Sequence, residues 1–121
     1  MAAVTDLMGL GMPPRLAGLI ATTPSSVTAA GTTAGAATQI TTKMCEVSSA
    51  TSATGAIVPN VSPGEYGFIN CKTGSTASAV IYPPTGSSAT FNNASSVTLA
   101  ADKSMIWWRF STTKFFYVIL A

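Results

Sequence analysis

Four carboxylates, two thiols, three tyrosines and six cations carry all the ionisable side-chain chemistry of this 121-residue chain, which contains no histidine. Glu46 with Glu65, or Asp6 with Asp102, would supply the two carboxyls of hydrolytic acid–base work, but nothing in their spacing brings either pair together. Cys45 and Cys71 lack the close spacing of metal ligands. Without histidine, neither a Ser–His nor a Cys–His nucleophile pair can be assembled from this chain. A Ser–Lys pair is formally available, yet no motif singles out one serine. The stretch GTTAGAAT (31–38) has two glycines of a phosphate loop but not the Lys-Ser/Thr that follows them in one. Asn60-Val61-Ser62 and Asn93-Ala94-Ser95 fit the glycosylation pattern and, with no export signal, read as chance matches. The sequence therefore predicts no catalytic residue, no metal site and no cofactor.

Composition agrees. Charged residues make up 8% of the chain, about a third of the usual share. Serine and threonine supply about a quarter of it, and the apolar set 47%. So high an apolar content excludes a solvated, disordered tail. A net charge of +2, with its cations scattered, excludes the clustered basic surface that nucleic acid requires. A free-standing soluble protein normally covers roughly 25–35% of its surface with charged residues. This chain cannot, so its surface must be rich in hydroxyls, buried in an assembly, or both. No apolar run is long enough to cross a membrane as a helix. The opening stretch 1–21, with Asp6 ahead of its apolar run and Arg15 within it, does not read as a signal peptide. The cysteines are expected as buried thiols of a reducing compartment rather than a disulfide.

Three segments follow from the pattern. Residues 1–21 read as a short helical segment. Thr5 and Asp6 cap a helix carrying Leu7 and Leu10, and Pro13-Pro14 open a second in which Leu16, Leu19 and Ile20 form one apolar stripe. Helices so short must dock on something, either on their own domain or on a partner. Residues 22–38, nearly devoid of large side chains, read as a flexible linker or as an extended arm along a neighbour. Residues 39–121 read as a β-domain. Strand formers at 40–47, 56–58, 67–71, 79–82, 96–99, 105–110 and 115–120 alternate with turn residues such as Ser62-Pro63-Gly64, Pro83-Pro84-Thr85-Gly86 and Asn92-Asn93. The fold expected is mainly β, a small antiparallel β-sandwich or barrel of about seven short strands. No helix of crossover length lies between them, which argues against a parallel α/β sheet.

The closing stretch, SMIWWRFSTTKFFYVILA (104–121), carries the most information. Strand alternation puts Met105, Trp107 and Arg109 on one face and Ile106, Trp108 and Phe110 on the other. In the second arm Phe115, Tyr117 and Ile119 oppose Phe116, Val118 and Leu120. Both faces are apolar, so water should be excluded from both sides. One face can cover the domain's own core; the other needs a second cover, either the chain's own N-terminal segment or, preferably, another copy of the chain. The expected core or oligomer contacts are Trp107, Trp108, Phe110, Phe115, Phe116, Tyr117, Ile119 and Leu120. With no accompanying cluster of amide, acidic or basic groups, packing is a better account of the aromatics than sugar or base stacking.

Residues 55–121 resemble small structural proteins of tailed-bacteriophage virions. The resemblance lies in Gly64-Glu65-Tyr66-Gly67-Phe68-Ile69-Asn70, Val80-Ile81-Tyr82-Pro83-Pro84-Thr85-Gly86, Leu99-Ala100-Ala101-Asp102-Lys103-Ser104 and the aromatic hairpin. Leu10-Gly11-Met12-Pro13-Pro14-Arg15-Leu16-Ala17 is similar to a short attachment segment of such proteins. The resemblance implies a capsid decoration (cement) protein, made in the host cytoplasm and carried on the capsid exterior. It would be a homotrimer that bridges major capsid protein subunits, with Leu7, Leu10, Leu16, Leu19 and Ile20 as attachment residues. A head-fibre or tail-associated knob that contacts the host surface is the alternative it implies. Neither nucleic acid nor membrane is an expected partner.

Overall fold

A computed structural model describes residues 11, 24–49, 54–72 and 77–120. Ten strands appear among them: β1 (Pro24–Thr28), β2 (Thr38–Gln39), β3 (Met44–Ser48), β4 (Thr54–Ile57), β5 (Tyr66–Cys71), β6 (Ala79–Tyr82), β7 (Thr90–Phe91), β8 (Val97–Leu99), β9 (Ser104–Ser111) and β10 (Lys114–Leu120). They form a six-stranded sheet, ordered β1-β3-β5-β9-β10-β7, and a four-stranded sheet, ordered β2-β4-β6-β8. The chain is mainly β, as its sequence predicts, and of the sandwich or barrel expected it has the two sheets of the former. A single 3-10 turn at Ala34–Ala36 is the helical structure among the described residues.

The antiparallel expectation needs correction. β1, β3 and β5 run parallel in one sheet, and β2, β4 and β6 run parallel in the other. The chain visits the two sheets alternately and so winds three stacked coils of a solenoid. Met44 pairs with Pro24 of the coil before it and with Phe68 of the coil after it. Parallel strands need a crossover of a dozen or more residues. Here the crossover is a strand of the opposite sheet with its two corners, not a helix. Beyond Pro83-Pro84 the direction reverses: β8 lies antiparallel to β6, β9 to β5, and β10 to β9. This antiparallel block lids one end of the coils.

The small-residue stretch 22–38 also differs from the linker or arm expected of it. β1 pairs with β3 along its whole length, and Val27 packs on the core. Within the stretch Gly31 is held at a close-packed corner, whereas Gly35 is open to solvent. A Cβ on Gly31 (φ +75°) would lie 2.5 Å from the Ala36 carbonyl oxygen, and one on Gly55 would lie 2.6 Å from Tyr82 Cε2. The helices expected within 1–21 lie outside the described residues.

The core fills the space between the sheets. From the six-stranded sheet come Cys45, Val47, Ile69, Cys71, Met105, Trp107 and Phe115; from the other come Ala56, Ala79, Ile81, Val97 and Leu99. Cys45 and Cys71 are both buried free thiols. Turn chemistry places the corners as read: Asp102 (φ +66°) and Asn92-Asn93 (φ +46° and +70°) adopt the left-handed conformation that Asn and Asp tolerate.

Candidate interaction surface

The register assigns the two faces of the six-stranded sheet residue by residue. On the inner face Trp107 lies opposite Gly67 on one side and Tyr117 on the other; on the outer face Trp108 lies between Tyr66 and Phe116. One row further, Met44, Phe68, Ile106 and Val118 line up across β3, β5, β9 and β10. Phe110, near the end of β9, is on this same outer face. The inner face disappears into the core. The outer face does not: Tyr66 is 57% exposed, Phe110 65% and Val118 48%, with Met44, Phe68 and Leu120 also open to solvent.

Its aromatic rings touch one another. Phe116 sits 6.0 Å from Trp108 and 5.5 Å from Phe110, centroid to centroid, and Tyr66 meets Phe68 edge-on at 6.1 Å. Such offset and edge-to-face pairs hold the rings in place without covering them. A polar row, Ser26, Glu46, Asn70 and Ser104, borders the aromatic patch. Ser104 Oγ donates to Asn70 Oδ1 at 2.9 Å. An open depression of about 490 Å³, bounded by Pro24, Ser26, Met44, Glu46 and Asn70, adjoins that row.

The hairpin residues therefore divide. Trp107 and Phe115 are fully buried, their rings 5.9 Å apart. Tyr117 is half-buried and meets Phe91 edge-on. Trp108 and Phe116 are half-buried on the outer face, while Phe110 and Leu120 are exposed there. Ile119 belongs to the inner side yet is 41% exposed. The expected attachment residues Leu7, Leu10, Leu16, Leu19 and Ile20 lie outside the described residues. Sequence reasoning missed Met44, Tyr66 and Phe68 as outer-face members. The signal was present in Tyr66–Cys71, where both alternating sets again carry large apolar side chains.

Arg109, isolated in the sequence, is a buried pin in the fold. Its Nη1 donates to Asn60 Oδ1 (2.8 Å) and to the Val61 carbonyl (2.6 Å), Nη2 to Thr112 O (2.8 Å) and Nε to Ser111 O (3.2 Å). The guanidinium also lies 5.1 Å from the Phe115 ring centroid, a cation–π distance. It ties the β4–β5 corner to the β9–β10 turn and so fixes the hairpin on the coils.

Polar chemistry elsewhere is local. Lys43 Nζ pairs with Glu65 Oε1 at 2.5 Å, and Glu65 Oε2 accepts the Ser62 N–H at 2.7 Å, closing the Pro63-Gly64 turn. Burial pushes the Cys45 thiol above its ordinary value, with Glu46 adding to the rise and hydrogen bonds with Ser25 and Val27 opposing it. Among the described residues no group of three or more Cys, Asp or Glu gathers that could hold a metal ion. Comparison of the chain with protein-family models, with curated proteins and with solved structures returns no match to any of them.

Proposed function

We propose that this chain is a non-enzymatic structural protein of a bacteriophage virion, carried on the capsid exterior, where it stabilises the shell by bridging major capsid protein subunits. The observation that supports the reading is the open aromatic face of the six-stranded sheet. Covering one large apolar side chain is worth about 1.5–3 kcal/mol, so a continuous patch of them favours a protein surface laid against it. The hydroxyl-rich remainder suits a protein that works by contact rather than by chemistry. Each contact can be weak, because many copies around a shell add their contacts together. Resemblance to small virion proteins supplies the kind of assembly.

Cosedimentation with capsids stripped of this protein tests the proposal. The native chain should bind and raise the temperature at which capsids rupture; Trp108→Ser with Phe116→Ser should abolish both while leaving the fold intact. Undiminished binding by the double variant, or no binding by the native chain, would overturn it. Stacked parallel coils extend along one axis, which supports a second reading, a head-fibre or tail-associated knob that contacts the host. Deleting the gene separates the two: fragile particles follow from the first, and intact particles that fail to adsorb follow from the second.

A further inference from the structure

We infer that the outer edge of β10 is built to pair, antiparallel and about a two-fold axis, with the β10 edge of a second copy. The main chain rather than the aromatic face carries the inference, and the pairing is independent of any capsid.

β7 covers only the start of β10, pairing with Lys114 and Phe115. Thr90 N–H bonds the Thr113 carbonyl at 3.1 Å and Asn92 N–H bonds that of Phe115 at 3.0 Å. Residues 113 and 115 therefore turn their peptide groups away from β9. By strand alternation Tyr117 and Ile119 do the same. No hydrogen bond among the described residues reaches their outward N–H and C=O groups. The free edge reads FYVIL (116–120), without charge, proline or bulge; Lys114, the only charged residue of β10, lies under β7. Edges left open in solution normally carry such blocking features. This one does not.

A second copy fits that edge in one register. With Val118 opposite Val118 of the other copy, Tyr117 faces Ile119 and Ile119 faces Tyr117. Each such pair exchanges both of its N–H···O bonds. Side chains sort correctly at the same time: Phe116 meets Leu120 on the outer face, and Tyr117 covers Ile119, the inner-side residue left exposed in one copy. Pairing stops where β7 begins. The other free edge of this sheet, β1, is a poorer partner for β10. It reads PSSVT, lacks an N–H at Pro24 and would set Ser26 and Thr28 against apolar side chains. Edge pairing leaves the two aromatic faces on one side, as one larger surface.

Sedimentation equilibrium of the purified full chain should give a dimer, and Ile119→Pro should make it monomeric. Proline there deletes an outward N–H and leaves the β9 ladder alone. Val118→Cys gives a reading that does not depend on that variant folding. Directly opposed residues of a non-hydrogen-bonded antiparallel pair lie within disulfide range. Val118→Cys should therefore cross-link to a covalent dimer under diamide, at least tenfold faster than Thr98→Cys, exposed on β8 of the other sheet. A monomeric native chain, a closed trimer, or equal cross-linking by the two cysteine variants would overturn the pairing. A chain that dimerises but ignores capsids would leave it standing and remove only the capsid reading.

Discussion

Gly67 and Trp107 face each other across β5 and β9, and the buried indole lies against the main chain at the one position in β5 that has no side chain. A Cβ at residue 67 would collide with the indole at Cζ2 and would also stand 2.5 Å from the Lys43 carbonyl oxygen. That oxygen accepts the Phe68 N–H at 2.6 Å, so it is not free to move away. The glycine is there to make room for the ring.

Gly67→Ala should therefore destabilise the protein by about 1–3 kcal/mol, the usual cost of overpacking a filled core. Urea unfolding followed by tryptophan fluorescence measures it. A loss below about 0.5 kcal/mol would show that the indole has another place to go.

The two adjacent tryptophans should behave differently. Trp107→Ala empties a fully buried site and should cost about 3–5 kcal/mol. Trp108→Ala, on the open face, should cost less than half as much and should weaken association instead. Trp107 Nε1 has no hydrogen-bond partner among the described residues, so Trp107→Phe should recover more stability than ring volume alone would give.

Arg109→Ala would leave Asn60 Oδ1 and the carbonyls of Val61, Ser111 and Thr112 without their donor. Hydrogen bonds to a charged group are worth about 1.5–3 kcal/mol each and are not additive, so the expected loss is about 3 kcal/mol or more. Arg109→Lys should restore only part of it, since one ammonium cannot span both the β4–β5 corner and the β9–β10 turn. Thermal unfolding of the three proteins gives the order.

Alkali should unfold this protein partly through Cys45. Burial raises its folded pKa above the ordinary 9.0, so the native state holds the proton more tightly than the unfolded chain does. Its contribution is complete below pH 9.0. Above that pH the unfolded thiol ionises first, and stability falls with rising pH until the folded thiol ionises too. The slope of unfolding free energy against pH above 9 should be shallower in Cys45→Ala.

Much of the β structure was legible because strand signals are local. Ala79–Tyr82 falls where its residues place it, and the two-faced hairpin announces its own need for cover. Parallel winding was not legible. Whether Met44 lies beside Pro24 or beside a hairpin partner depends on contacts a full coil apart along the chain, which alternation cannot encode. Gly31 reads as slack because composition registers missing bulk and not the close approach that requires it. Arg109 was invisible as a pin because its acceptors are mainly backbone carbonyls, and every residue has one.

Stacked coils also separate length from recognition. In its strand pairing each turn of the winding meets only its neighbours, and the lidded end holds the whole aromatic hairpin. A gene that gained one more coil's worth of codons between β2 and β3 would yield a longer rod with the same tip. Such a lineage could vary its reach without renegotiating its grip.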